Sequence, residues 1–134
     1  FGNYFYIVFC YMTYMQGINI VIGNFKDGSK MYSFNGYLEL GPEDFLMDSL
    51  LIDEFGNSRV SNFKKGSDEL SFTRTYFPTD SDYFENFSFK LVNKLWVGGY
   101  TDDDNSKNRE ATLLLSPVNV SKEPLIKLLL SVYR

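Results

Sequence analysis

From Leu70 to Tyr100 the side chains change character at every second position, and no other feature constrains the fold of this chain as tightly. The stretch runs Leu-Ser-Phe-Thr-Arg-Thr-Tyr, crosses a loop from Pro78 to Asp82, and continues as Phe-Ser-Phe-Lys-Leu and Leu-Trp-Val-Gly-Gly-Tyr. A period of two sends alternate side chains to opposite faces of a strand, whereas a helix repeats about every 3.6 residues. Three such runs joined by short connections form an antiparallel meander. Turn signals recur ahead of it, at Lys26-Asp27-Gly28-Ser29, Gly41-Pro42-Glu43-Asp44 and Asp53 to Asn57, and within it at Asn93-Lys94. Strands spaced about ten residues apart with turns between them predict a barrel or a sandwich.

The composition points the same way. The 134 residues suffice for one domain with a substantial core. Thirteen Phe and ten Tyr stand against a single alanine, Ala111, so strand formers abound and the best helix former is nearly absent. The fold expected is all-β: an antiparallel up-and-down meander forming a barrel or a sandwich, with a C-terminal α-helix.

Along the chain, Phe1 to Phe25 carries no charged side chain, and Lys26 is the first. That length meets the criterion for a membrane-spanning helix. Gly17, Asn19, Gly23 and Asn24 suit a span poorly, and Gln16-Gly17 reads as a turn between strands over Tyr4–Met15 and Ile18–Phe25. A trimmed signal-peptide core is the third option. In Met31 to Leu40, Tyr32, Phe34, Leu38 and Leu40 share one face, and Gly36 on that face marks a bulge or a close backbone approach. Phe45 to Ile52 is apolar but irregular, which leaves a short helix open there. Ser58 to Phe63 reads as an edge strand at most, and Lys64-Lys65 as a solvated turn. Ala111, Leu113 and Leu115 alternate with Thr112 and Leu114 in a last strand. The tail then changes period. Ser121 is a good N-cap, Pro124 is tolerated in the first turn, and Leu125, Leu128, Leu129 and Val132 fall on one helical face. Ile126, Leu130 and Tyr133 widen that stripe beyond the need of a solvated helix. The chain thus divides into an apolar segment 1–17, a barrel 18–118 and a helical tail 119–134.

The chemistry legible here is sparse. There is no histidine, which removes the commonest general base and metal ligand, and the one cysteine, Cys10, excludes an internal disulfide. A net charge of −4 with scattered basic residues argues against a nucleic-acid surface. Asp102, Asp104 and Ser106 have the alternate spacing of a calcium loop, but Lys107 and Leu113 stand where that loop requires Gly and Glu. Asn86-Phe-Ser88 and Asn119-Val-Ser121 match the glycosylation pattern at the frequency expected by chance. Neither a metal site nor a cofactor is indicated, and no catalytic constellation stands out. Arg74 is the one polar residue with a functional claim. By parity it shares a face with Phe72 and Tyr76, so it enters the barrel if they do. There it pairs with an internal acid such as Asp48 or Asp53, or anchors a ligand carboxylate. Trp96, Gly98 and Tyr100 share a face as well, as core or as a stacking platform.

The succession Phe72-x-Arg74-x-Tyr76, a strand from Phe84, then Trp96-x-Gly98 resembles small up-and-down β-barrels of the lipocalin and calycin type. Ile22-Gly23-Asn24-Phe25 stands at their Gly-x-Trp position with Phe for Trp, and Thr79-Asp80-Ser81-Asp82-Tyr83 at their Thr-Asp-Tyr position with two residues inserted. The resemblance spans about residues 18 to 118 and implies an up-and-down meander closing into a barrel of eight or nine strands, with a C-terminal helix packed against it. Two functional expectations follow. The first is a non-enzymatic interaction module, an accessory subunit of a larger assembly with membrane contact through residues 1–25; Phe5, Phe9, Leu125, Leu129 and Tyr133 would touch protein partners. The second is a carrier of a small apolar or carboxylate-bearing ligand, lined by Phe72, Arg74, Tyr76, Trp96 and Tyr100. The sequence assigns no compartment.

Overall fold

The alternating runs pair in sequence order into a closed eight-stranded antiparallel barrel. The computed structural model describes residues 16–77, 83–103 and 108–132. The strands are β1 (Gly17–Asp27), β2 (Lys30–Leu40), β3 (Leu46–Asp53), β4 (Gly56–Lys65), β5 (Glu69–Phe77), β6 (Glu85–Val92), β7 (Leu95–Asp102) and β8 (Arg109–Pro117), followed by helix α1 (Lys122–Val132). Closure comes from β8 returning to β1, with Ile22 opposite Leu114 and Phe25 opposite Ala111. Closing the sheet removes free edges, the usual liability of an all-β chain. The connections are those the turn residues demand. Gly28 takes a φ of 65° in the β1–β2 hairpin, and Asn93 and Lys94 take 51° and 69° between β6 and β7.

Parity divides the residues between two cores. Val21, Phe25, Phe34, Leu38, Leu51, Leu70, Phe72, Phe87, Phe89, Trp96, Tyr100 and Leu113 point inward as one buried cluster. Phe87 stacks on Phe72 at 5.1 Å and on Tyr100 at 4.9 Å between ring centroids. Gly36 sits on the inner face of β2 because a Cβ there would lie 1.8 Å from the Leu50 carbonyl oxygen. The close approach read from the sequence is therefore present. Outside the barrel, Ile18, Tyr37, Leu50, Ile52 and Leu125 form a second buried cluster beneath α1.

This second core accounts for the irregular pattern of Phe45 to Ile52. That segment is strand rather than helix: Leu51 faces the lumen while Leu50 and Ile52 face α1, so both faces are apolar and the alternation vanishes. A bulge at Met47, between the Glu39–Asp48 and Leu40–Leu46 pairs, disturbs it further. Ser58 to Phe63 is likewise no edge strand, since β4 pairs with β3 and with β5. Asn62 and Phe63 together oppose one residue of β5, with Asn62 at a φ of 51°. The bulge moves the inward set from Ser58 and Val60 to Phe63 and Lys65, which broke the period in the sequence. Lys65 is consequently not a solvated turn residue. Its ammonium lies 3.7 Å from Asp44 and 6.0 Å from the Trp96 ring centre.

At the N-terminal side, Gly17–Asp27 is a barrel strand, so one helix cannot occupy Phe1–Phe25. The strand read over Tyr4–Met15 lies outside the described residues. Among those described, no helix is long and apolar enough to cross a membrane. The outer positions of β5 to β7 include Ser71, Thr73, Asn86, Ser88, Lys90 and Thr101 around an apolar interior, the reverse of a membrane-spanning barrel.

Candidate functional site

Arg74 enters the barrel from the middle of β5, and its side chain is wholly shielded from solvent. Its Nη1 donates to Asp53 Oδ2 at 3.1 Å, while Nε and Nη2 donate to Glu85 Oε1 at 2.8 and 2.5 Å. The acids arrive from both sides. Glu85 opposes Arg74 across β5–β6, and Asp53 ends β3 two strands away. Each remaining carboxylate oxygen has its own donor: Phe55 N–H to Asp53 Oδ1 at 2.8 Å and Tyr83 Oη to Glu85 Oε2 at 3.0 Å. Tyr76 Oη adds a second donor to Asp53 Oδ2 at 2.5 Å. Around the guanidinium stand Phe25, Phe34, Tyr76 and Phe87, with ring centres 4.9 to 5.3 Å from Cζ.

Of the acids offered for Arg74, Asp53 is the partner and Asp48 is not. Asp48 lies outside the barrel, beneath α1. Glu85 was not singled out, although its spacing from Phe87 and Phe89 places it on their inward face. Burial works against the Arg74 charge, but Glu85 and Asp53 more than offset it and raise its pKa. Burial also raises the pKa of Tyr76 and Tyr83, and pushes Tyr100 up to about 12. At the same end Arg109 Nη1 donates to Asp102 Oδ2 at 2.7 Å, and its Nε approaches Asp27 at 3.5 Å. Asp102 Oδ1 is, among the described residues, the buried side-chain oxygen left without a hydrogen bond.

Phe72, Arg74, Trp96 and Tyr100 are thus all inside the barrel, and Tyr76 is half-buried beside them. Among the described residues they pack against other side chains of the interior. Phe72 and Tyr100 both stack on Phe87, Trp96 packs in the same cluster, and Tyr100 Oη donates to the Lys26 carbonyl at 3.0 Å. The grooves lined by described residues lie on the surface. One, of about 980 Å³, is open and runs over the outside of β5 to β7. Its floor is the row Ser71, Ser88 and Gly99, which oppose one another across the three strands. Among the described residues no cluster of carboxylates or thiols could hold a metal ion. Asp102, first of the calcium-loop spacing, is instead bound by Arg109; Asp104 and Ser106 lie outside the described residues.

Of the partner-facing residues, Leu125 is buried and Leu129 half-buried against the outer core, so both hold α1 to the barrel. Phe5, Phe9 and Tyr133 lie outside the described residues. The helix is anchored at its first residue. Lys122 Nζ lies 3.1 Å from both Glu39 Oε1 and Asp48 Oδ2, and Tyr37 Oη donates to Asp48 Oδ2 at 2.7 Å. Burial favours the protonated Asp48, yet the Tyr37 and Lys122 hydrogen bonds outweigh it and lower its pKa. Beside these packed residues, Leu128 is 61% and Val132 66% exposed, and Leu130 is exposed too. No family model matches this chain, and neither a curated protein nor a solved structure does.

Proposed function

We propose that this β-barrel is a non-enzymatic interaction module, an accessory subunit that enters a larger assembly through α1. The observation that carries it is an apolar stripe on α1 wider than the barrel covers. Leu125, Ile126 and Leu129 pack on the barrel, while Leu128, Leu130 and Val132, at the flanks of that stripe, stay exposed. Apolar surface left exposed beside a packed face marks a contact with a partner. The interior supports the same conclusion from the other direction. Arg74 directs its charged donors at Asp53 and Glu85, and aromatic rings pack on one another in the interior, where a lumenal ligand of the lipocalin kind would sit. The likeness to lipocalin-like barrels therefore rests on architecture, with the strand order and helix as its support.

The test is affinity capture of the tagged full chain from its native cells, wild type against Leu128→Glu/Val132→Glu, with light scattering on the purified proteins. A stoichiometric partner that co-purifies with wild type and is lost with the variant is the expected result. A wild-type chain that is monomeric and captures nothing overturns the proposal, as does a variant that retains the partner.

A further inference from the structure

One seam of the closed barrel is only partly zipped. β3 and β4 pair at Asp53–Gly56, Ile52–Asn57 and Leu51–Ser58, and the pairing stops there, although β3 reaches back to Leu46 and β4 on to Lys65. At the next step side chains intervene. Val60 N–H donates to Ser49 Oγ at 2.9 Å, and Ser49 N–H donates to Asp48 Oδ1 at 2.9 Å. Continued in the same register, Met47 would face Asn62, and both are bulge residues. A bulge bends its strand. Two bulges facing each other turn the strands apart, so the gap is set by the chain on both sides of the seam.

The opening is a cavity of about 780 Å³, lined by residues 42–46 on one side and 60–65 on the other. Its floor is apolar: Val60 is buried, and Leu46 and Phe63 pack on the inner core. Ion pairs cross it at both ends, Arg59 with Asp48 at 3.8 Å and Lys65 with Asp44 at 3.7 Å. Of the five described non-glycine residues with positive φ, three stand on its walls: Glu43 at 57°, Asp44 at 58° and Asn62 at 51°. Backbone strain of this kind collects at clamps for ligands.

We propose that this cleft is a peptide-binding site, in which an extended, uncharged segment of a partner lies along the unpaired edges of β3 and β4. The main-chain N–H and C=O groups of a strand edge are complementary to another extended main chain. Strands bound the cleft on both sides, so a single chain enters it and the edge of a folded sheet does not. The flanking charges balance, Lys64 and Lys65 against Glu43 and Asp44, and the apolar floor selects aliphatic or aromatic side chains at alternate positions of the segment. Bulges and lysines also shield an edge from another sheet. A seam that needed only protection would have carried its ladder on in the same register. None of the lining residues belongs to α1, so the site is independent of the helix.

The test is selection of a displayed library of random dodecapeptides on the full chain, with the enriched peptides then titrated into three proteins. These are wild type, Leu128→Glu/Val132→Glu, and Met47→Cys/Asn62→Cys in a Cys10→Ser background, the last both oxidised and reduced. The enriched peptides should be uncharged, with alternating apolar residues, and should bind the first two proteins alike. They should bind the reduced form at least about ten-fold more tightly than the oxidised one, the worth of one or two main-chain hydrogen bonds. Their addition should slow amide exchange over residues 46–48 and 62–64. A library that yields no binder overturns the proposal. So do peptides that bind the oxidised form equally, that need Leu128 and Val132, or that slow exchange only on other elements. A free chain that is dimeric in light scattering and already slow to exchange at both edges points to a second copy and overturns it too. Should the disulfide not form, the exchange pattern alone decides.

Discussion

Arg74 donates a hydrogen bond to Asp53 at 3.1 Å across the barrel interior, joining β5 to β3 without any main-chain contact between those strands. The same guanidinium holds Glu85 on its other side. Two acids on one cation leave the group with a formal charge of −1, and Phe55 N–H, Tyr76 and Tyr83 supply the donors that make this tolerable.

Arg74→Met should therefore cost about 3–5 kcal/mol, because it strands two buried carboxylates. Combining it with Asp53→Asn and Glu85→Gln should recover much of that loss, since no net charge then remains inside. Urea unfolding of the single and triple variants measures both. Equal losses in the two would mean that the guanidinium matters by its volume alone.

The packed and the exposed apolar residues of α1 should respond differently to truncation. Leu125→Ala opens a gap in the outer core and should cost about 2–3 kcal/mol. Leu128→Ala trims a side chain that is 61% exposed and should leave thermal unfolding nearly unchanged. The anchor at Asp48 adds an acid limit. Its folded pKa lies below the ordinary 3.8, so its contribution is complete above that pH and is lost as the pH falls further. Amide exchange at Leu50 and Ile52 should accelerate there first.

Alkaline pH should unfold the barrel. Tyr37, Tyr76, Tyr83 and Tyr100 all have pKa values above the ordinary 10.0, with burial the first cause in each, and Tyr100 is pushed up to about 12. A raised pKa means that folding favours the neutral phenol. Its contribution is complete below pH 10 and drains as the pH climbs towards the folded values. Phenolate absorbance and circular dichroism should therefore change together above pH 10. A midpoint near 10 for these phenols with the sheet intact would contradict this.

Gly36→Ala should be among the costliest small substitutions, at about 2–3 kcal/mol, because the new methyl meets the Leu50 carbonyl rather than a movable side chain. Gly66→Ala meets nothing nearer than 3.9 Å and should be close to neutral. Parallel thermal melts decide the contrast.

The sequence by itself determined the strands from Leu70 to Tyr100, the turn at Asn93-Lys94, the shared face of Phe72 and Arg74 and that of Trp96 and Tyr100, and the helix from Lys122. In each case the period of two, or the change to a helical period, survives because one face meets a single environment. Tertiary structure decided the rest. The Phe45 to Ile52 segment hid its strand character because α1 buries its outer face, and Ser58 to Lys65 hid its own because a bulge reversed its parity. The partner of Arg74 is set by which strand ends meet around the mouth, a closure that local pattern does not encode. That closure places Arg74 between the carboxylates of Asp53 and Glu85, which come from strands far apart in sequence.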